Sequence, residues 1–340
     1  MLEYKKDGWK ALIALAPTLL LMSVFTFYPI INTLITSFME GYTFNVWHDT
    51  MYAKGWFQHF GEHITSRSYD EFGNIVSEDT YFIGFGFGNF VAIFKDPLFW
   101  RSLRNTSIMV FITVPITVII ALLISVALNG IKKLQGFFQT VYFLPYVTNT
   151  IALGLVFTAL FSSKSGLINS ILLSLGLNAI PWVRALGETP PTELAAFFVL
   201  VVYSIWNGLA FKIMVFLSGM QSIDKQYYQA AQIDATPRGR VFSKITVPLL
   251  SPMIAYITIT SFIGAFKIYS SVISLFRGRY GPASDPNMLI TMVGYTYDAL
   301  KNMSTRGELA RASASALILF AIIMLITLVQ LYVSKKRVHY

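Results

Sequence analysis

The sequence predicts an all-α polytopic membrane protein crossed by six transmembrane helices. Three observations carry that reading. The 340 residues are 55% hydrophobic and only 13% charged, where an ordinary soluble domain carries about 25% charged residues. Six apolar runs are long enough to cross the hydrocarbon core, which takes about 20 residues in a helix. Basic residues are densest in alternate connecting segments, the pattern that orients a multi-pass chain.

In order, the runs are residues 11–38, 106–128, 137–161, 194–217, 247–276 and 312–333. Pro17, Pro29, Pro115 and Pro145 lie inside them, as membrane helices tolerate when neighbours satisfy the freed carbonyls. With a cytoplasmic N-terminus, the inner segments are residues 1–10, 129–136, 219–246 and 334–340. Their 53 positions hold 12 basic residues, namely Lys5, Lys6, Lys10, Lys132, Lys133, Lys225, Arg238, Arg240, Lys244, Lys335, Lys336 and Arg337. The outer segments spread a similar number over more than twice the length, so the chain reads as N-in, C-in. This distribution accounts for the net charge of +9 without nucleic acid. The absence of cysteine excludes disulfides and cysteine-ligated metals.

The expected organisation is a cytoplasmic segment with the first helix (1–38), an extracytoplasmic insert (39–105), a five-helix core (106–333) and a basic tail (334–340). The insert holds Trp47, Tyr52, Trp56, Phe57, Tyr69, Phe72, Tyr81, Phe82, Phe85 and Phe87; it reads as a small cap on the helix ends or as a partner surface. His59 and His63 are four apart with His48 nearby, a spacing that reads as a surface pair rather than a metal site. No catalytic constellation stands out.

The cytoplasmic segment 219–246 is the most informative. Asp224 is suited to cap a helix running to about Asp234. Thr236 is suited to cap a second helix that starts at Pro237, with Phe242 and Ile245 on its apolar face. Ala230 and Ala231 keep the first helix slim on one side.

On these residues the stretch resembles the EAA loop of bacterial ATP-binding-cassette importer permeases, a pattern of Glu-Ala-Ala-x-x-Asp-Gly followed by Phe, Ile, Thr and Leu-Pro. The matching positions are Gln229, Ala230, Ala231, Asp234, Phe242, Ile245, Thr246, Val247 and Pro248. Gln229 replaces the family's Glu and Ala235 its Gly, which weakens a charge pair to a neutral hydrogen bond and puts an alanine where glycine turns freely. Asn89-Phe90, Phe99-Trp100, Arg104-Asn105-Thr106, Leu144-Pro145-Tyr146, Gly166 to Asn169 and Gly307 to Ala314 extend the likeness to carbohydrate-importer permeases of the maltose and glycerol-phosphate type over most of residues 85–335.

The resemblance implies a type I importer permease fold in the bacterial inner membrane, multi-pass and bathed in lipid. It implies that Gln229, Ala230, Ala231, Asp234, Ala235, Thr236 and Pro237 dock on an ATPase. It also implies partners: a second, homologous permease subunit forming a heterodimer, two ATPase subunits that bind ATP and Mg, an extracytoplasmic solute-binding protein, and a sugar or oligosaccharide substrate. This chain has no glycine-rich phosphate loop of its own, so it needs no cofactor and is no enzyme.

Polar groups at membrane depth face cavities or partner helices. Tyr146, Asn149, Ser204, Asn207, Gly208, Phe266 and Tyr269 mark a substrate pathway, sugar contacts being implied by the resemblance at several of them; the other reading is that they bond helix to helix. Lys212 and Lys267 read as snorkelling to opposite membrane faces, or as binding a carboxylate or phosphate. A secondary transporter or channel working without ATPase subunits is the alternative function, and it lacks the paired intramembrane acids or inverted repeat it would normally show.

Overall fold

The computed structural model describes residues 8–42, 60–69, 75–131, 133, 135–184, 189–302 and 307–337. Trp47, His48, Tyr52, Trp56, Phe57, His59, Phe72, Lys5, Lys6 and Lys132 lie outside them. The described chain is mostly helical and divides into two compact units, Met1–Pro97 with Tyr295–Phe320 and Leu98–Gly294 with Ala321–Tyr340. Helices Trp9–Ser37, Pro97–Gly130, Glu193–Gln221 and Glu308–Lys335 are each long and apolar enough to cross a membrane, and two bent pairs bring the number to six if each is one span.

In the first unit, α1 (Gly8–Met22) runs through a π-helical turn, Ser23–Phe27, into α2 (Tyr28–Ser37). Its apolar side chains are exposed along nearly the whole length, as expected of a surface that meets lipid or another protein. The chain then leaves helix. β1 (Met39–Glu40) pairs antiparallel with β4 (Gly84–Phe85), and β2 (His63–Tyr69) with β3 (Ile75–Phe82), with a register shift between Ser68 and Tyr69. The insert therefore holds two small sheets that an all-α reading does not include; Ile, Val, Thr and aromatic residues in β2 and β3 favour pleated structure. In the first turn of α3 (Gly88–Lys95), Asn89 donates to the Ser37 and Met39 carbonyls at 3.1 and 3.2 Å, satisfying acceptors where α2 ends and β1 begins.

The second unit is built on α4 (Pro97–Gly130). This helix begins nine residues before the expected span, because Pro97 suits a first helical position. Its opening turns pin down residues 285–292: Arg101 makes a two-pronged ion pair with Asp285, Asn105 donates to the Met288 and Ile290 carbonyls at 3.0 Å each, and the Met292 amide donates to Thr106 Oγ1 at 2.9 Å.

The third expected span is two helices, α5 (Gln135–Val147) and α6 (Thr150–Leu160), bent by 99°. The break is built by Asn149, whose extended backbone stops the helix and whose side chain accepts from the Ile151 and Ala152 amides at 2.8 and 3.4 Å. Beyond α7 (Leu167–Ser174) lies α8 (Glu193–Gln221), capped by Thr192. Its Ala196, Val199, Leu200, Tyr203, Ala210, Ile213, Leu217 and Met220 are buried at helical spacing and form the centre of the unit's core.

The fifth expected span is also broken. α9 (Lys225–Ile233) is followed by α10 (Arg238–Val241), a π-helical turn Phe242–Thr246, α11 (Val247–Leu249), α12 (Ser251–Phe266) and α13 (Ser270–Leu275). The run Arg238–Leu249 meets α12 at 68°, where Pro248 and Pro252 remove backbone donors. α6 packs on α13 through Gly154, where any Cβ would overlap Ser274, a small-residue contact of the kind membrane helices use. α14 (Met292–Lys301) and α15 (Glu308–Arg337) complete the chain.

Candidate docking loop and transport cavity

Two features of the second unit are candidate sites: the helix pair α9–α10 and a cavity among α4, α8 and α12.

Asp224 caps α9 by accepting from the Gln226 amide at 2.9 Å. The other end closes on Ala235, which adopts a left-handed backbone (φ 48°). The Ala235 amide donates to Gln232 at 3.1 Å and the Thr236 amide to Ala231 at 2.9 Å, the two bonds of a Schellman closure. Because Thr236 is committed to ending α9, it does not cap the next helix: Pro237 is the cap residue and α10 starts at Arg238, one residue later than expected. Ala231 is buried, whereas Gln229, Ala230, Asp234 and Ala235 are exposed. Tyr227, Ala230 and Ile233 follow at helical spacing, and Ile233 is 86% exposed. The pair thus presents an exposed, partly apolar face, while Tyr228 and Thr246 hydroxyls lie 3.3 Å apart and tie α9 to the π-helical turn Phe242–Thr246.

The cavity is about 430 Å³. Ser204, Asn207, Gly208 and Tyr269 line it, together with Thr113, Thr117, Phe211, Lys212, Thr260 and Lys267. The other three expected pathway residues lie elsewhere. Phe266 is 1% exposed and packs in the core; Asn149 is occupied as a helix cap. Tyr146 stands beside the cavity, stacked on Phe211 at 5.9 Å and 22°. Tyr203 is fully buried, and its hydroxyl donates to the Thr150 carbonyl at 2.8 Å, bracing the α5–α6 break.

Thr113 and Thr117 escaped the sequence reading, although two threonines four apart in an apolar run share one helix face. Their hydroxyls, like that of Thr260, donate back to carbonyls of their own helices, which leaves oxygen lone pairs toward the cavity. Ser204 Oγ is buried with no hydrogen-bond partner among the described residues. Lys212 does not snorkel to the C-terminal end of α8. Its Nζ turns back four residues and donates to the Gly208 carbonyl at 3.0 Å. Helical side chains lean toward the N-terminus, and Gly208 leaves the space. Among the described residues no group of three or more His, Asp and Glu is placed to hold a metal ion.

The family described as the binding-protein-dependent transport system inner membrane component matches residues 84–339. The chain belongs to this family of ATP-binding-cassette importer permeases. A secondary transporter or channel is thereby set aside. The permease is 28% identical to the lactose transport system permease protein LacF of Rhizobium radiobacter, over 98% of this chain and 96% of that one. It is 27% identical to the arabinooligosaccharides transport system permease protein AraP of Bacillus subtilis, over 97% and 93%. It is also 27% identical to the sulfoquinovosyl glycerol transport system permease protein SmoG of Agrobacterium fabrum, over 97% and 92%. In fold it matches a chain of a bacterial ABC transporter involved in the import of the acidic polysaccharide alginate, with a TM-score of 0.73, 18% identity and coverage of 98% and 96%.

Proposed function

We propose that this permease translocates a sugar or oligosaccharide delivered by an extracytoplasmic binding protein, driven by two separate ATPase subunits that bind ATP and Mg. The observation that carries the coupling part is the exposed α9 face, Tyr227, Ala230 and Ile233, on a helix pair tied by Tyr228 to the foot of α12. The sugar part is supported by relatives named for lactose, arabinooligosaccharide and sulfoquinovosyl glycerol transport that align over nearly their full lengths. The alginate transporter, similar in fold, has been solved with a pentasaccharide-bound periplasmic protein, which supports the same kind of delivery here.

In this reading the bent pairs each count as one span, giving six, with both termini cytoplasmic and the protein multi-pass in the inner membrane. Gln229 to Pro237 dock on an ATPase, whose closure moves α9 and, through Tyr228 and Thr246, α12 and the cavity wall. Ser204, Asn207, Gly208 and Tyr269 contact the sugar in the cavity, with Tyr146 beside it. A second, homologous permease closes the pathway from the other side. Asymmetry of the docking loop, with Gln229 and Ala235, favours a different chain over a copy.

The whole importer, expressed with its neighbouring genes and solubilised, tests this. An ATPase should co-purify, and deletion of Gln229–Pro237 should abolish substrate-stimulated ATP hydrolysis while membrane insertion persists. Normal coupling after the deletion would sink the docking assignment.

A further inference from the structure

We propose that the cargo passing this cavity is an anionic sugar, bearing a carboxylate, sulfonate or phosphate group that is held by Lys212 and Lys267. The inference rests on the sugar-import reading and narrows its substrate class.

The cavity wall contains two lysines and neither an aspartate nor a glutamate. Neither lysine forms an ion pair among the described residues, and the polar partner of Lys212 is a neutral backbone carbonyl. An ammonium at membrane depth is costly unless an anion answers it. Lys267 caps the C-terminal end of α12, where the helix dipole offsets part of its charge. Lys212 lies within α8 and has no such offset.

The seat of Lys212 is built rather than incidental. A Cβ at position 208 would stand 3.1 Å from Lys212 Nζ and 3.4 Å from Thr117 Cγ2, so the bare face of Gly208 gives the folded-back ammonium its room. Around it the chemistry divides in two. Thr113, Thr117 and Thr260 have spent their hydrogens and present acceptors, which suit sugar hydroxyls. Asn207 and the two ammoniums supply donors. A neutral sugar would satisfy the acceptors and leave Lys212 with only the Gly208 carbonyl; an acidic sugar answers Lys212 and engages the exposed Lys267 as well.

Uptake into cells expressing the whole importer provides the test. The probes are digalacturonate, a 6-sulfoglucoside and glucose 6-phosphate, each set against its uncharged parent sugar. One anionic probe should enter in preference to its parent. Lys212→Met should cut that uptake about tenfold to a hundredfold, the worth of a lost charge-assisted hydrogen bond, and Lys212→Arg should retain most of it. Entry of neutral sugars alone overturns the inference and leaves the sugar reading standing. So does anionic uptake unchanged in both Lys212→Met and Lys267→Met. Loss of the second permease from either purified variant assigns the lysines to an interface and overturns it as well. Entry of neither class overturns the sugar reading itself, and this inference with it.

Discussion

The Thr236 amide donates to the Ala231 carbonyl at 2.9 Å across an alanine, Ala235, held at φ 48°. A left-handed backbone costs a residue with a Cβ roughly 1–2 kcal/mol, and glycine avoids that cost. Ala235→Gly should therefore firm up the end of α9. Amide hydrogen exchange at Thr236 in the intact complex should slow by about fivefold for each kcal/mol gained; unchanged or faster exchange would contradict the strain.

Gly154 sets how closely α6 and α13 approach. Ser274, which a Cβ there would overlap, is itself buried and donates to the Ser271 carbonyl at 2.8 Å, so it has little room to yield. Gly154→Val should lower thermal stability by about 1–3 kcal/mol, the usual range for overpacking. Adding Ser274→Gly should restore part of the loss. Full stability of the single variant, measured by thermal unfolding in detergent, would show that the contact is looser.

In the first unit, the Tyr295 hydroxyl donates to Asp96 at 2.9 Å and accepts from Arg311, which also pairs with Asp96. Burial pushes the phenol up to about 12, the Asp96 hydrogen bond adding to the rise and Arg311 opposing it. Because the folded value lies above the unfolded one of about 10, the un-ionised phenol stabilises the fold fully below pH 10. That contribution is lost as pH rises through 12. A difference absorbance titration between wild type and Tyr295→Phe should show one phenol ionising near 12. A midpoint near that of an exposed tyrosine would contradict the network.

Much of this architecture is legible in the residues, and the gaps have physical causes. Asp224 and Ala235 mark the two ends of α9 because capping chemistry is local. Thr236 misleads by one position because its amide serves the helix behind it, a choice that depends on the Ala231 carbonyl being in place. Asn149 reads as a pathway group since any asparagine at membrane depth is conspicuous, yet the backbone break it caps takes up its side-chain oxygen. Phe266 and Tyr269 are three apart and end on different surfaces, one in the core and one on the cavity, because the helix stops between them at Lys267. The β2–β3 pair joins strands only five residues apart in the sequence, but strands of seven and eight residues leave no mark beside apolar runs of about 20. Asn169 shows the opposite case. Part of the Gly166–Asn169 likeness, it is buried with both side-chain ends used, donating to the Ser163 and Ile180 carbonyls and accepting from the Ile180 amide and Trp182 Nε1.

Docking of α9 on an ATPase is the claim on which the rest depends, and cross-linking tests it most directly. The chain has no cysteine, so a single cysteine placed at Ile233, and separately at Tyr227, reports without background. Each should cross-link to the co-purified ATPase subunit, with a yield that changes when nucleotide binds. Absence of a cross-link from both positions, with efficient cross-linking from a cysteine on the insert strand β4 instead, would contradict the account.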